Sequence, residues 1–295
     1  MPEYAHVVAP IIVVLMMMVV GLELTLADLR HELRRPRVIG CAFVVQLTLL
    51  PAFTYALGRA LELPVAVVVG MAVLAACPAG GISNAFVQAA RGNLPLSVSM
   101  TGLGAVAAPL TVPILLAIGL GAGMGIGGQA PLGAVRIAGL AFQLTFAIIA
   151  PIALGMAVRH LRPAWAERNR RRLSGLATAG IVAFVAASLA TNFDDVVAAL
   201  SNAMLPGLLW TLGAATFGLA LGWLLGLAAR DLLTLVIEFV NRNLGIALVV
   251  AMGFPDPGAI YMFPTAVIAF GYPGSLLAGV WFRRRPPRRA VAPVP

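Results

Sequence analysis

The chain has 295 residues, of which 61% are hydrophobic and only 11% charged, and its mean hydropathy is +0.98, a composition that excludes a water-soluble globule of this length. Its formal charge is +9 and its basic residues are all Arg. Where those Arg fall therefore decides between a membrane topology signal and a nucleic-acid surface.

A helix needs roughly 20 apolar residues to cross a hydrocarbon core of about 30 Å. Nine runs of that kind lie near 7–27, 37–60, 64–90, 94–119, 134–159, 173–192, 197–228, 230–252 and 258–282. No period-2 pattern suggests a barrel and no long polar stretch suggests a soluble domain, so the expected fold class is an all-α integral membrane protein with nine transmembrane helices. The N-terminal segment MPEYAHVVAP, into which the first run extends, lacks a basic n-region and a small-residue cleavage site. The first run reads as a retained span, not a signal peptide. The second run carries VVQLTLLPA, with Gln46 shortly before Pro51. Cys41 and Cys77 each sit in an apolar run at a spacing that suggests neither a metal site nor a redox pair, so they read as small buried residues.

The third run, VVVGMAVLAACPAGGISNAFVQAA, is interrupted by Pro78, Gly80 and Gly81, with Ser83 and Asn84 directly after. Pro removes an amide donor and clashes with the preceding turn, and paired Gly lowers the cost of unwinding. A broken helix near 77–84 is expected. Unwound backbone at membrane depth is tolerated only inside protein or against a water-filled cavity, so the break marks a site, although a plain Pro kink is the competing reading. In the fourth run, Ser97 and Thr101 are four apart and share one helical face. They offer oxygen ligands to a neighbour or bond their own helix backbone.

The eighth run repeats the pattern with EFVNRNLG, residues 238–245. Charges at membrane depth cost roughly 2.5–3.5 kcal/mol each on insertion scales, so they face a bundle interior and pair or bind something. Glu238 and Arg242 are spaced for an ion pair on an unbroken helix. The flanking Asn241 and Asn243, with Gly245 beyond, favour a second broken helix and a binding role over a purely structural pair. Two broken runs, each followed by one closing run, form the arrangement expected of transporters built from internal repeats, in which substrate and coupling ions bind where discontinuous helices cross. If the breaks meet, Ser83, Asn84, Ser97, Thr101 and Glu238 supply the oxygen set with a carboxylate that a hard cation such as Na⁺ requires.

The Arg residues occupy alternate loops: Arg30, Arg34, Arg35 and Arg37 follow the first run, Arg91 the third, Arg159 to Arg172 the fifth, Arg230 the seventh and Arg283 to Arg289 the ninth. The other loops carry only Arg59 and Arg136, with the acidic Asp194, Asp195 and Asp256. The positive-inside rule then puts the N-terminus outside and the C-terminus in the cytoplasm of a multi-pass cell (inner) membrane protein. RRPR and RRRPPRR read as anchors to the lipid headgroups, with no nucleic-acid partner.

The segment ACPAGGISNAFVQAARGNLPLSVSMTGLGAVAAPL resembles the CPGG-type segment of the bile acid:sodium symporter family, and GLELTLADLR resembles that family's opening motif. VVQLTLLPA and the Glu-led motif with Asn243 extend the resemblance over nearly the whole chain. It implies a panel domain and a core domain with two crossing broken helices in inverted-repeat-type halves, starting at what is the second helix of ten-helix bacterial members. The implied division is panel 1–35, core 36–125, panel 130–195, core 196–282 and a basic cytoplasmic tail 283–295. The first sodium site of the family falls on Ser83, Asn84, Ser97, Thr101 and Glu238. The second falls on Gln46, Glu238, backbone oxygens around Phe239 and Asn241, and a Gln position held here by Arg242. A guanidinium has donors and no acceptor and cannot ligate a cation. Arg242 therefore reads as a tethered positive charge in place of a second sodium, with Glu238 between a mobile and a fixed cation. Gly81 stands where some members have a Thr near the substrate, and the implied substrate contacts are Gly81, Arg242 and Asn243.

The expected function is thus sodium-coupled symport of a small organic anion, bile-acid-like or carboxylate, by alternating access. Na⁺ is the coupling ion, and there is no organic cofactor. A proton-coupled or uncoupled carrier of the same fold is the alternative. A membrane-embedded enzyme or ligand sensor is the rival from another class; the absence of HExxH, GxSxG and any His–carboxylate cluster in the runs argues against an enzyme.

Overall fold

The computed structural model describes residues 5–24, 36–121, 134–191, 193–254 and 257–284. Among these residues every element is helical apart from one isolated bridge. Without water to satisfy them, backbone amides in an apolar phase must bond within their own segment, and a helix does this. The helices are α1 (Ala5–Glu23), α2 (Pro36–Ala60), α3 (Val65–Ala76), α4 (Gly81–Ala89), α5 (Leu94–Gly121), α6 (residues 134–161), α7 (Pro163–Thr191), α8 (Phe193–Leu224), α9 (Ala229–Val240), α10 (Leu244–Ala251) and α11 (Pro257–Arg284). Five of them, α2, α5, α6, α8 and α11, are long and apolar enough to cross a membrane, and α1 and α3 contain shorter apolar helices. The Arg cluster at 30–35, Asp256 and most of the basic tail lie outside the described residues.

Two helices widen locally. α2 makes a π-turn at Val45–Leu49 and α6 another at Thr145–Ile149. Each precedes a proline, Pro51 or Pro151, whose ring excludes the carbonyl one turn earlier, and the extra residue in the turn absorbs that exclusion.

The two interruptions are placed against each other. Cys77 ends α3 in an extended conformation, Gly80 precedes α4 in another, and α9 ends at Asn241. Freed backbone groups of one break are satisfied by the other: Asn243 N donates to Pro78 O at 2.8 Å and Gly80 N donates to Asn241 O at 3.3 Å, a pair of bonds that makes Ala79 and Arg242 an antiparallel bridge. Gly80 suits this close approach, since a Cβ there would meet the Asn243 Cα at 3.1 Å, a tight contact. Asn243 then caps α10, its Oδ1 accepting from Ile246 N at 3.0 Å.

Neighbouring helices lock the crossing. α5 packs its Gly104 against Pro78. Asn93, before α5, receives nothing at random: its backbone N donates to Thr234 Oγ1 and its Nδ2 to Asp231 Oδ1, both at 2.8 Å, and its Oδ1 accepts from Leu96 N. These bonds tie the start of α5 to the start of α9 and so fix which face of α5 meets α9. α1 lies across the opposite side, with Val20 against Gly81 and with Val13 and Met16 against Gly245. Trp210 of α8 donates to Thr54 of α2 at 2.9 Å in the buried interior.

Candidate functional site

Glu238 is in the last turn of α9, fully buried. Its Oε1 accepts from Ser83 Oγ and Ser97 Oγ, both at 2.6 Å, and its Oε2 accepts from Thr101 Oγ1 at 3.2 Å. Asn84 completes the group: its Oδ1 lies 2.7 Å from Ser97 Oγ and 3.4 Å from Thr101 Oγ1. All five residues are buried. Ser83 and Asn84 reach the cluster from the first turn of α4, Ser97 and Thr101 from one face of α5. The two α5 hydroxyls bond outward to Asn84 and Glu238, in preference to their own helix backbone.

A proton count shows what the cluster lacks. Ser83 Oγ is 2.7 Å from Gly80 O as well as 2.6 Å from Glu238, and Ser97 Oγ is close to both Asn84 Oδ1 and Glu238. Each hydroxyl has one proton for two acceptors. With a carboxylate at Glu238, two of these short oxygen–oxygen contacts have no hydrogen between them. A small hard cation, or a proton, supplies the missing positive charge, and the donor set of hydroxyls, an amide oxygen and a carboxylate suits the former. Among the described residues no group of three or more His, Cys, Asp and Glu gathers to suit a softer metal.

Arg242 does not pair with Glu238 as the four-residue spacing suggests. α9 stops at Val240, so the two residues leave the common helical face, and Arg242 sits in the extended link. It is buried, 3% exposed, and donates only Nη2 to Ala75 O at 3.0 Å, while Nε and Nη1 have no partner. Asn243 Nδ2 is likewise buried without a partner, as is Asn241 Oδ1, although Asn241 Nδ2 bonds Ile237 O and Ser275 Oγ. Gln46 is buried in the π-turn of α2, its Nε2 without a partner, and Phe239 is fully buried. No hydrogen bond joins Gln46, Asn241 or Arg242 to Glu238 among the described residues. Gly81 is the first residue of α4 and faces Val20 of α1.

The N-termini of α4 and α10 both start at the crossing, which gathers two positive dipole ends beside the unpartnered donors of Arg242 and Asn243. That arrangement can hold an anion. A cavity of about 360 Å³ opens nearby, lined by Glu23, Asn84, Gln88, Arg159, Glu167 and Arg170 among others. Glu23 was not among the residues that the motifs single out. Its Oε2 accepts from Asn84 Nδ2 at 2.9 Å, and a carboxylate closing an apolar run in GLE was the available signal.

Comparison with known proteins follows the same line. A model of the Sodium Bile acid symporter family matches residues 10–199, which covers the first break and α5 and stops short of the second break. The chain is 26% identical over 272 residues to the probable sodium/metabolite cotransporter BASS1, chloroplastic, of Oryza sativa subsp. japonica, covering 92% of this chain and 64% of that protein. It is 25% identical to the uncharacterized sodium-dependent transporter YocS of Bacillus subtilis (strain 168), over 90% of this chain and 79% of that one. It is 23% identical to the hepatic sodium/bile acid cotransporter of Rattus norvegicus, over 94% and 76%. The chain thus spans under two thirds of the rice relative's length. These relatives are transporters, not enzymes.

Proposed function

The chain belongs to the Sodium Bile acid symporter family, and from that membership and the carboxylate at the crossing we propose a secondary transporter that couples a small organic anion, bile-acid-like or carboxylate, to sodium by alternating access. The observation that carries the proposal is the buried Glu238 with three hydroxyl partners and too few protons. Ser83, Asn84, Ser97, Thr101 and Glu238 ligate one Na⁺, the coupling ion. Gln46, Glu238, Phe239, Asn241 and Arg242 form the altered second site, where the guanidinium takes the place of a mobile cation. The anion sits at Gly81, Arg242 and Asn243, against the two helix N-termini.

In this reading the nine apolar runs are nine spans in a multi-pass cell membrane protein, with the N-terminus outside and the C-terminus cytoplasmic. α1, α6 and α7 form the panel; α2 to α5 and α8 to α11 form the core. Gly81 and Gly245 meet α1 side chains through van der Waals contacts, and the Asn84–Glu23 hydrogen bond crosses the same boundary; a face joined this lightly supports a mobile boundary there.

Proteoliposomes test the proposal directly. Uptake of labelled taurocholate and of a panel of short carboxylates should rise with an imposed Na⁺ gradient, vanish when choline replaces Na⁺, and be lost in Glu238→Gln. A second reading, proton coupling at Glu238, draws on the same proton shortage. Uptake that persists in choline and follows a pH gradient would select it and reject the sodium proposal.

A further inference from the structure

We propose that Glu23 is a positioning residue for the cation cluster: its carboxylate on α1 fixes the Asn84 amide so that Oδ1, and not Nδ2, faces Ser97 and Thr101. The inference rests on the sodium reading of Glu238 and deepens it.

An Asn amide has an oxygen at one end and an NH₂ at the other, nearly identical in shape, and its partners decide which end points where. The cluster alone does not decide. Ser97 and Thr101 hydroxyls both accept and donate, so they would tolerate either end of Asn84 at 2.7 and 3.4 Å. Glu23 does decide, because a carboxylate only accepts. At 2.9 Å from Asn84 it requires the NH₂ end to face outward, which leaves the oxygen end facing Glu238's hydroxyl partners. A reversed amide would replace a cation ligand with two donor hydrogens and would set the Nδ2 partial positive charge against the ion.

Glu23 is itself held. Arg159 of α6 donates to Leu22 O next to it. Gly21, two residues before, meets the α6 backbone closely at Ile152 and Gly155. Arg159 and Arg170 line the same cavity and give the carboxylate positive surroundings. Asn84 thus has its two ends on different bodies of the proposed architecture: Nδ2 on the panel through Glu23, Oδ1 on the core through α5. The ligand set is then complete only while α1 rests on α4, so sodium affinity depends on the position of the panel. This is a direct mechanical link between ion binding and the movement that opens the crossing.

The test is sodium-dependent thermal stabilisation of the purified full chain in detergent, with Na⁺ exchanged for choline at constant ionic strength. Wild type should show a saturable shift. Two acceptor-free variants, Glu23→Ala and Glu23→Met, should need about tenfold more Na⁺ for half the effect, as for loss of one charge-assisted hydrogen bond. Glu23→Gln, whose carbonyl still accepts from Asn84, should stay within about threefold of wild type. Glu167→Gln, which removes a second carboxylate lining the same cavity, should leave the midpoint unchanged and so separates orientation from simple charge. Unchanged midpoints in Glu23→Ala and Glu23→Met overturn the proposal, as does a Glu23→Gln shift equal to theirs. A wild type with no sodium response at all overturns the sodium reading and this inference with it, whereas a wild-type response with indifferent variants overturns this inference alone.

Discussion

Replacing Arg242 with Gln perturbs a buried charge at the crossing that has no carboxylate in contact among the described residues. The guanidinium is buried and makes one hydrogen bond, Nη2 to Ala75 O at 3.0 Å, so the change removes a single backbone contact and a desolvated charge. The larger consequence is electrostatic. Arg242 and Glu238 form no contact ion pair, which puts their charged atoms beyond about 4 Å, where a unit pair at an effective dielectric near 20 interacts by about 4 kcal/mol; at about 8 Å the figure is about 2 kcal/mol. A cation in the Glu238 cluster feels a repulsion of that order from Arg242. Removing it should tighten sodium binding by about 2 kcal/mol, or about 30-fold. Sodium titrations of thermal stabilisation and of uptake, at several substrate concentrations, would read this. Wild type should respond to sodium with a Hill coefficient near one, and Arg242→Gln should respond at lower sodium and more steeply, since Gln offers an acceptor where Arg offers none. If Arg242 instead pairs with the anion, the mutant loses substrate affinity while its sodium curve keeps its position and shape. A sodium curve for Arg242→Gln that superimposes on a steep wild-type curve would refute the tethered-cation argument.

The bond lengths rank the hydroxyls. Ser97→Ala should weaken sodium binding more than Thr101→Val, because Ser97 Oγ is 2.6 Å from Glu238 and 2.7 Å from Asn84 while Thr101 Oγ1 is 3.2 and 3.4 Å away; equal sodium midpoints in the two variants would contradict the ranking. The proposed orientation predicts that, in a background without Cys41 and Cys77, Asp194→Cys reacts with an impermeant thiol reagent added outside intact cells and Glu167→Cys does not, the reverse pattern reversing the topology.

Much of this site was legible because membrane sequences put polar residues only where something needs them. Pro78, Gly80 and Gly81 announced the first break, and Asn241 to Asn243 the second, since neither set belongs in a lipid-facing helix. The spacing of Ser97 and Thr101 gave their common face, though only the structure shows that the face meets Glu238, because that depends on Asn93 tying α5 to α9. The spacing of Glu238 and Arg242 means a shared face only while the helix continues; the Asn residues on either side of Arg242 pointed to a break, and the helix does stop between the two charges. Glu23 and Trp210 were not legible as partners of Asn84 and Thr54, since each pair joins distant helices by a single bond. The π-turns in α2 and α6 had a sequence cause in Pro51 and Pro151, but a proline predicts a disturbed turn without saying whether the helix kinks or widens.

On the proposed reading, coupling follows from where the charges are. Without a mobile cation the crossing holds Glu238 and Arg242, one negative and one positive, and an anion approaching the N-termini of α4 and α10 meets no net charge. With a cation in the Glu238 cluster the same anion meets a net positive site. Across a separation of about 8–10 Å and an effective dielectric near 20, that difference is about 2 kcal/mol, or roughly tenfold to thirtyfold in anion affinity. Linkage makes the effect reciprocal, so the anion must raise sodium affinity by the same factor. The ligands themselves add a second contribution of the same sign. Ser83 and Asn84 belong to α4, Ser97 and Thr101 to α5, and Glu238 to α9, so the cation draws together oxygens from both sides of the crossing that otherwise face each other with too few protons. The backbone at the crossing is held by two hydrogen bonds, which together make the Ala79–Arg242 bridge, a small set for a joint that must position an anion between two helix ends. An ion that closes the oxygen cluster stiffens that joint, and the anion site is then formed at full strength only when sodium is already present.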